Sequence, residues 1–84
     1  MDRCKYIILK YLHIPILFPA SRNHSDIAEK FGGLDSVTSA GFVQFDYNPD
    51  TGEVEAYCYG KSTSLGLGPR ENDSWLITQM TKRY

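Results

Sequence analysis

Two β-rich runs around a proline–glycine turn constrain this chain more than any other feature. Phe42-Val43-Gln44-Phe45-Asp46-Tyr47 and Val54-Glu55-Ala56-Tyr57-Cys58-Tyr59 are joined by Asn48-Pro49-Asp50-Thr51-Gly52. Pro49 pre-sets the φ of a turn's second residue, Asp50 suits the third, and Gly52 tolerates the left-handed conformation that closes a longer hairpin loop. The period-2 pattern then selects one register. Tyr47 opposite Val54, Phe45 opposite Ala56 and Val43 opposite Cys58 puts all six on one face. The other face carries Phe42, Gln44, Asp46, Glu55, Tyr57 and Tyr59, and a slip of one residue would scramble both.

The most hydrophobic segment, Lys5 to Phe18, has no helical period. It admits either one long strand with both faces covered or a hairpin, Lys5–Tyr11 and Ile14–Phe18, turning near Leu12-His13. Pro15 lacks an amide hydrogen and belongs on an edge or just after a turn, which favours the hairpin. Pro19 to Arg22 ends the strand. Asn23 stands three residues before Asp26, a helix start of the capping-box kind. Ile27, Ala28, Phe31 and Leu34 follow at helical spacing, and Gly32-Gly33 stops a short helix, Asn23–Phe31. Asp35 to Ala40 reads as a connecting loop. After the central hairpin comes a glycine-punctuated loop, Gly60 to Arg70, which Leu65 and Leu67 pin to the core. Pro69 suits the first position of a helix, and Glu71 and Asp73 put negative charge at its positive end. Leu76, Met80 and Arg83 form a stripe, so a second helix is expected over Pro69–Lys82. The fold class expected is α+β: a four-stranded antiparallel sheet of two hairpins with both helices on one face (ββαββα), in a single domain over 1–84.

With 84 residues, 42% hydrophobic and 23% charged, the composition is that of one folded domain rather than a disordered chain. A formal charge of −1 argues against a dedicated duplex-DNA binder, which needs a basic face to release phosphate counterions. A local basic patch remains open, with Arg3, Lys5 and Lys10 early and Lys82 and Arg83 late. Cys4 and Cys58 are too few for a disulfide scaffold, and Cys58 on the apolar hairpin face reads as a free thiol in a reducing compartment. The amino end imitates a secretion signal. Lys10 and His13 interrupt its apolar run, no small-x-small cleavage site follows, and the run falls short of the roughly 18 residues of a membrane span.

No enzyme motif survives inspection. Gly60-Lys61-Ser62 resembles the end of a phosphate-binding loop, but the leading glycine of that motif falls at Glu55 and no helix begins at the lysine. Nor is Gly60-Lys61-Ser62-Thr63-Ser64 a nucleophile elbow. His13, His24, Cys4 and Cys58 lack paired ligand spacings, and no metal or cofactor is expected. Asp46, Asp50 and Glu53 surround a turn that ordinary turn chemistry explains.

One site has a physical rationale, an anion cradle. Backbone amides around Gly66, Gly68 and Arg70 would point outward at a helix amino terminus, with Lys61 and Arg70 flanking them and the Ser62 and Ser64 hydroxyls nearby. Tyr57 and Tyr59 would stack on a nucleobase. The competing reading is that these glycines are only turn residues and that the tyrosines pack under a helix. Glu71 and Asp73 would also oppose a bound anion. A third possibility needs no pocket: a domain this small can use an exposed face to homo-oligomerise, a dimer being favoured, or to block a larger protein.

Ala40-Gly41-Phe42-Val43, Cys58-Tyr59-Gly60-Lys61-Ser62, Ser64-Leu65-Gly66-Leu67, Arg70, Asp73 and Leu76-Ile77 resemble a family of small proteins of bacteriophages and prophages. Tyr6-Ile7-Ile8-Leu9, Ile16-Leu17-Phe18-Pro19 and His24-Ser25-Asp26-Ile27-Ala28 are similar too, so the resemblance covers most of the chain. It departs at Leu12-His13, a shorter connection than such proteins have, and at Gly68, where a serine cap is expected. The resemblance brings no catalytic or binding residues. It implies an accessory protein of the host bacterial cytoplasm that is not an enzyme and counters antiviral defence. Its partner would be a host defence protein or complex, or, as a sponge acting through the Gly60–Arg70 loop, a small nucleotide signal. A structural or morphogenetic phage component is the remaining alternative.

Overall fold

The computed structural model describes residues 3–82. Its elements are β1 (Cys4–Leu9), β2 (Pro15–Pro19), α1 (His24–Glu29), a 3₁₀ turn (Leu34–Ser36), β3 (Val37–Asn48), β4 (Glu53–Tyr59) and α2 (Asp73–Thr81). The strands form one antiparallel sheet in the order β2-β1-β3-β4. The α+β class and the two hairpins are as the sequence predicts. No helix among the described residues is long and apolar enough to cross a membrane.

The central hairpin has the register set by its hydrophobic alternation, with Tyr47, Phe45 and Val43 opposite Val54, Ala56 and Cys58. Its turn is closed by the amide of Gly52 (φ 76°) donating to the Asn48 carbonyl at 2.7 Å, and the Asn48 side chain accepts from the Asp50 amide at 2.9 Å. β3 is longer than expected. It begins at Val37, because residues 37–40, assigned above to a loop, join the strand that pairs with β1.

The placement of the helices corrects the sequence reading: they lie on opposite faces, not one. Ile27 and Ala28 of α1 pack with Ile7, Phe18, Val37 and Ala40. Ile77 of α2 packs with Tyr6, Ile8, Val43 and Ala56. The reason is visible in β1, where Tyr6, Ile7 and Ile8 are consecutive and all fully buried. Successive strand residues point to opposite faces, so such a run requires a cover on each. Cys4 and Cys58 both stand opposite Val43 from neighbouring strands, two strand spacings or roughly 10 Å apart. That exceeds disulfide reach, and both are free thiols.

Both helices are shorter than predicted. Asn23 occupies the N-cap of α1 without a side-chain cap bond, so the capping box is not formed. The helix ends at Glu29, with Gly32 (φ 110°) and Gly33 (φ 84°) turning the chain. That leaves Phe31 and Leu34 exposed rather than on a buried stripe. The second helix starts at Asp73, not Pro69, because Asp73 folds back on the preceding turn: its carboxylate accepts from the Arg70 amide at 2.9 Å. Arg83, expected on the α2 stripe, lies outside the described residues.

The first hairpin forms, but β1 stops at Leu9 and residues 10–13 make the connection, with Leu9 N donating to Ile14 O at 2.9 Å. Leu12 (φ 61°) and His13 (φ 50°) both adopt the left-handed region. For non-glycine residues this costs roughly 1–2 kcal/mol each.

Every sheet edge is closed differently. On β4 the outward amides of Ala56 and Cys58 donate to Thr78 Oγ1 and Ser74 Oγ of α2, both at 2.9 Å. The spacing suits the task, since two strand residues and four helical residues both span roughly 6–7 Å. Beyond the end of β4, the amide of Ala40 reaches the Gly68 carbonyl at 3.4 Å. On β2 the residues facing outward are Pro15, Leu17 and Pro19, because Ile14, Ile16 and Phe18 occupy the positions bonded to β1. Two of these three have no amide hydrogen, which blunts the edge against strand addition.

Candidate functional site

The predicted cradle can be located residue by residue. Residues 60–70 carry the chain from one face of the sheet to the other around the end of β4. Leu65 and Leu67 belong to the α1-side core, as expected. Gly41 permits the crossing: a Cβ there would stand 2.9 Å from the Tyr59 carbonyl oxygen and 3.1 Å from Pro69 Cγ.

Within the loop the amides of Ser62, Leu65, Gly66 and Leu67 are bonded inward. Ser62 is buried; its carbonyl accepts from Gly66 at 2.9 Å and Leu67 at 3.3 Å, and its hydroxyl accepts from the Leu65 amide at 3.2 Å. Arg70 N–H is taken by Asp73. Ser62 and Gly66 therefore belong to a closed turn, the Gly68 carbonyl accepts from the Ala40 amide, and Lys61 and Ser64 are exposed. Arg70 Nε lies 3.9 Å from Asp73 Oδ1. Tyr59 stacks on Phe42 with centroids 5.8 Å apart, whereas Tyr57 is exposed on the same face. The Gly66 and Arg70 amides, expected to face an anion, are thus already bonded within the protein.

Two buried polar clusters were not anticipated. On the α2 side Tyr6 Oη donates to Asp73 Oδ2 at 2.7 Å, and both residues are fully buried. Burial first, and then the hydrogen bond to Asp73, raise the Tyr6 pKa. Burial also raises both thiols, so Cys4 and Cys58 stay protonated and are poor nucleophiles. On the α1 side His24 Nε2 lies 2.8 Å from the Gly41 carbonyl, which makes it the protonated nitrogen of a neutral ring. Phe18 and Phe42 pack edge-on against that ring. Burial lowers its pKa. Sealed from solvent, each cluster ties a helix to the sheet and neither offers a reacting atom to a substrate.

What remains open is the distal half of the β3–β4 hairpin on the α1 side. Here Gln44 stands opposite Tyr57, and Asp46 opposite Glu55. All four are exposed, Tyr57 at 63%. Asp46, Asp50, Glu53 and Glu55 are all acidic, and no lysine, arginine or histidine occurs between Phe42 and Gly60. Like charges directly across an antiparallel pair are destabilising. Neither Asp46 nor Glu55 has a basic partner within ion-pair distance among the described residues. The signal was in the sequence, since the register already set Asp46 beside Glu55; only the position of α1 determined that nothing covers them.

Compared with known proteins, the chain is matched by no family model, no curated protein and no solved structure.

Proposed function

We propose that this is a non-enzymatic inhibitor that binds a bacterial antiviral defence protein or complex through the open face of the β3–β4 hairpin. The observation that carries this reading is the Asp46–Glu55 pair on a sheet face with no cover, softened by a 3.5 Å hydrogen bond from Gln44 Nε2 to Asp46 Oδ1 but by no basic partner among the described residues. A local rule broken without a compensating opposite charge points to a functional surface. The chemistry selects a partner with a lysine- and arginine-rich surface, as proteins that handle nucleic acid present. Its cations would relieve the carboxylate repulsion, and Tyr57 would add apolar contact area at the centre of the interface. Attraction between the acidic hairpin and a basic face would also speed encounter. The resemblance to small phage and prophage proteins supplies the defence context and the host cytoplasm as the place of action.

The test is phage plating on a host with a defined defence system that expresses either the wild type or Asp46→Lys. The wild type should restore plaques. The variant should lose that effect while being a few tenths of a kcal/mol more stable, because the substitution converts a repulsive cross-strand pair into an attractive one. Asp46→Lys restoring plaques as well as the wild type would remove this face from the mechanism. Recovery of the protein in purified virions would instead favour a morphogenetic role.

A further inference from the structure

At the other end of the strands, around residues 10–15, lies a second surface. Leu9 pairs with Val37 at the start of β3, whereas Asp46 and Glu55 stand near its far end. Tyr11, Leu12, Ile14 and Trp75 are 77%, 70%, 39% and 62% exposed. Residues 12–15 and α2 enclose a groove of ≈ 390 Å³ whose apolar lining includes Leu12, Ile14, Trp75, Leu76 and Met80. We propose that this patch is a homodimer interface, in which two copies meet about a two-fold axis and each seats Leu12 in the groove of the other.

Four features select a second copy as the occupant. Leu12 is the exposed wall of the groove, so one patch offers both a ridge and a furrow, the arrangement a self-complementary two-fold contact requires. No lysine, arginine, aspartate or glutamate lines the groove, so like copies meet there without repulsion. The acidic hairpin would repel its own copy, and the strand edges are closed by α2, Gly68 and two prolines. The exposed side chains supply roughly 500 Å² per copy, on the order of 1,000 Å² per pair, the lower bound of a specific interface. A weak, concentration-dependent dimer follows. Leu12 is also held in the left-handed region by a turn that asparagine or glycine would form more easily, so the strain keeps an apolar side chain at the surface.

Sedimentation equilibrium over the micromolar to millimolar range tests this. The wild type should shift from 9.5 kDa towards twice that mass. Emission of Trp75, the sole tryptophan, should move to the blue as concentration rises. Trp75→Glu and Leu12→Asn should each weaken association at least tenfold. Leu12→Asn should do so while raising the melting temperature, because asparagine tolerates the left-handed backbone. Asp46→Lys should leave association intact, which separates this proposal from the inhibitory surface. A single 9.5 kDa species at every concentration would overturn it, as would dimers indifferent to both patch substitutions. A monomeric wild type whose patch variants lose a host partner would assign the groove to that partner and equally overturn the homodimer.

Discussion

Tyr6 and Asp73, sixty-seven positions apart, share a 2.7 Å hydrogen bond between side chains that are both fully buried. The phenol comes from the third residue of β1, the second strand from the sheet's edge, and the carboxylate from the first residue of α2. Asp73 also holds the Arg70 amide, so one carboxylate positions both the turn and the helix that follows. Tyr6→Phe should cost about 2–3 kcal/mol in urea unfolding, the usual loss for a buried bond to a charged group. A double-mutant cycle with Asp73→Asn should return a coupling energy of at least about 1 kcal/mol. Additive effects would show that the Tyr6–Asp73 bond does not couple α2 to β1.

The hydroxyls of Ser74 and Thr78 make α2 a cover for the β4 edge. Ser74→Ala and Thr78→Val should each leave a strand amide without its acceptor and cost about 1–2 kcal/mol. Thr78→Ser should restore most of that loss. Hydrogen exchange gives a local readout: the amide of Ala56 should exchange faster in Thr78→Val, and that of Cys58 in Ser74→Ala. With both substitutions the exposed edge should promote aggregation.

His24 makes stability depend on pH. Burial holds its folded pKa below the ordinary 6.5, with the nearby Lys5 charge acting in the same direction. Above that value both folded and unfolded states keep the ring neutral, and stability is full. As pH falls below it the unfolded chain takes up the proton first, so stability declines until pH passes the lower folded value. The unfolding free energy measured from pH 7.5 downward should fall for the wild type with a slope of up to about 1.4 kcal/mol per pH unit. His24→Gln, which keeps a donor for Gly41, should flatten that part of the profile. Parallel profiles would exclude His24 as the titrating group.

Gly41→Ala should destabilise by about 1–3 kcal/mol, because its Cβ would meet backbone at 2.9 Å and the Pro69 ring at 3.1 Å. Gly66→Ala has open space around it and a φ of 69°, so it should cost only about 1 kcal/mol. Thermal melts of the two variants distinguish steric from conformational cost. Equal losses would mean that the crossover is not tightly packed at Gly41.

Alternation of side chains in Phe42–Tyr47 and Val54–Tyr59 was enough to specify the central hairpin and its register, since a strand's period is two and a slip would expose the apolar set. Pro15 specified the break in the first hairpin, because proline lacks an amide hydrogen, and Gly32-Gly33 the end of α1, because glycine admits a positive φ. The apolar run Tyr6-Ile7-Ile8 even contained the evidence that both sheet faces are covered. Which helix covers which face was decided by the tertiary structure, through the path of residues 60–70 around the end of β4. So were the bond of Asp73 to Tyr6 and the capping of β4 by Ser74 and Thr78. A serine, a threonine or an aspartate bonds whichever partner the packed core brings near it. Those partners lie 16 to 67 positions away, beyond the reach of any local pattern.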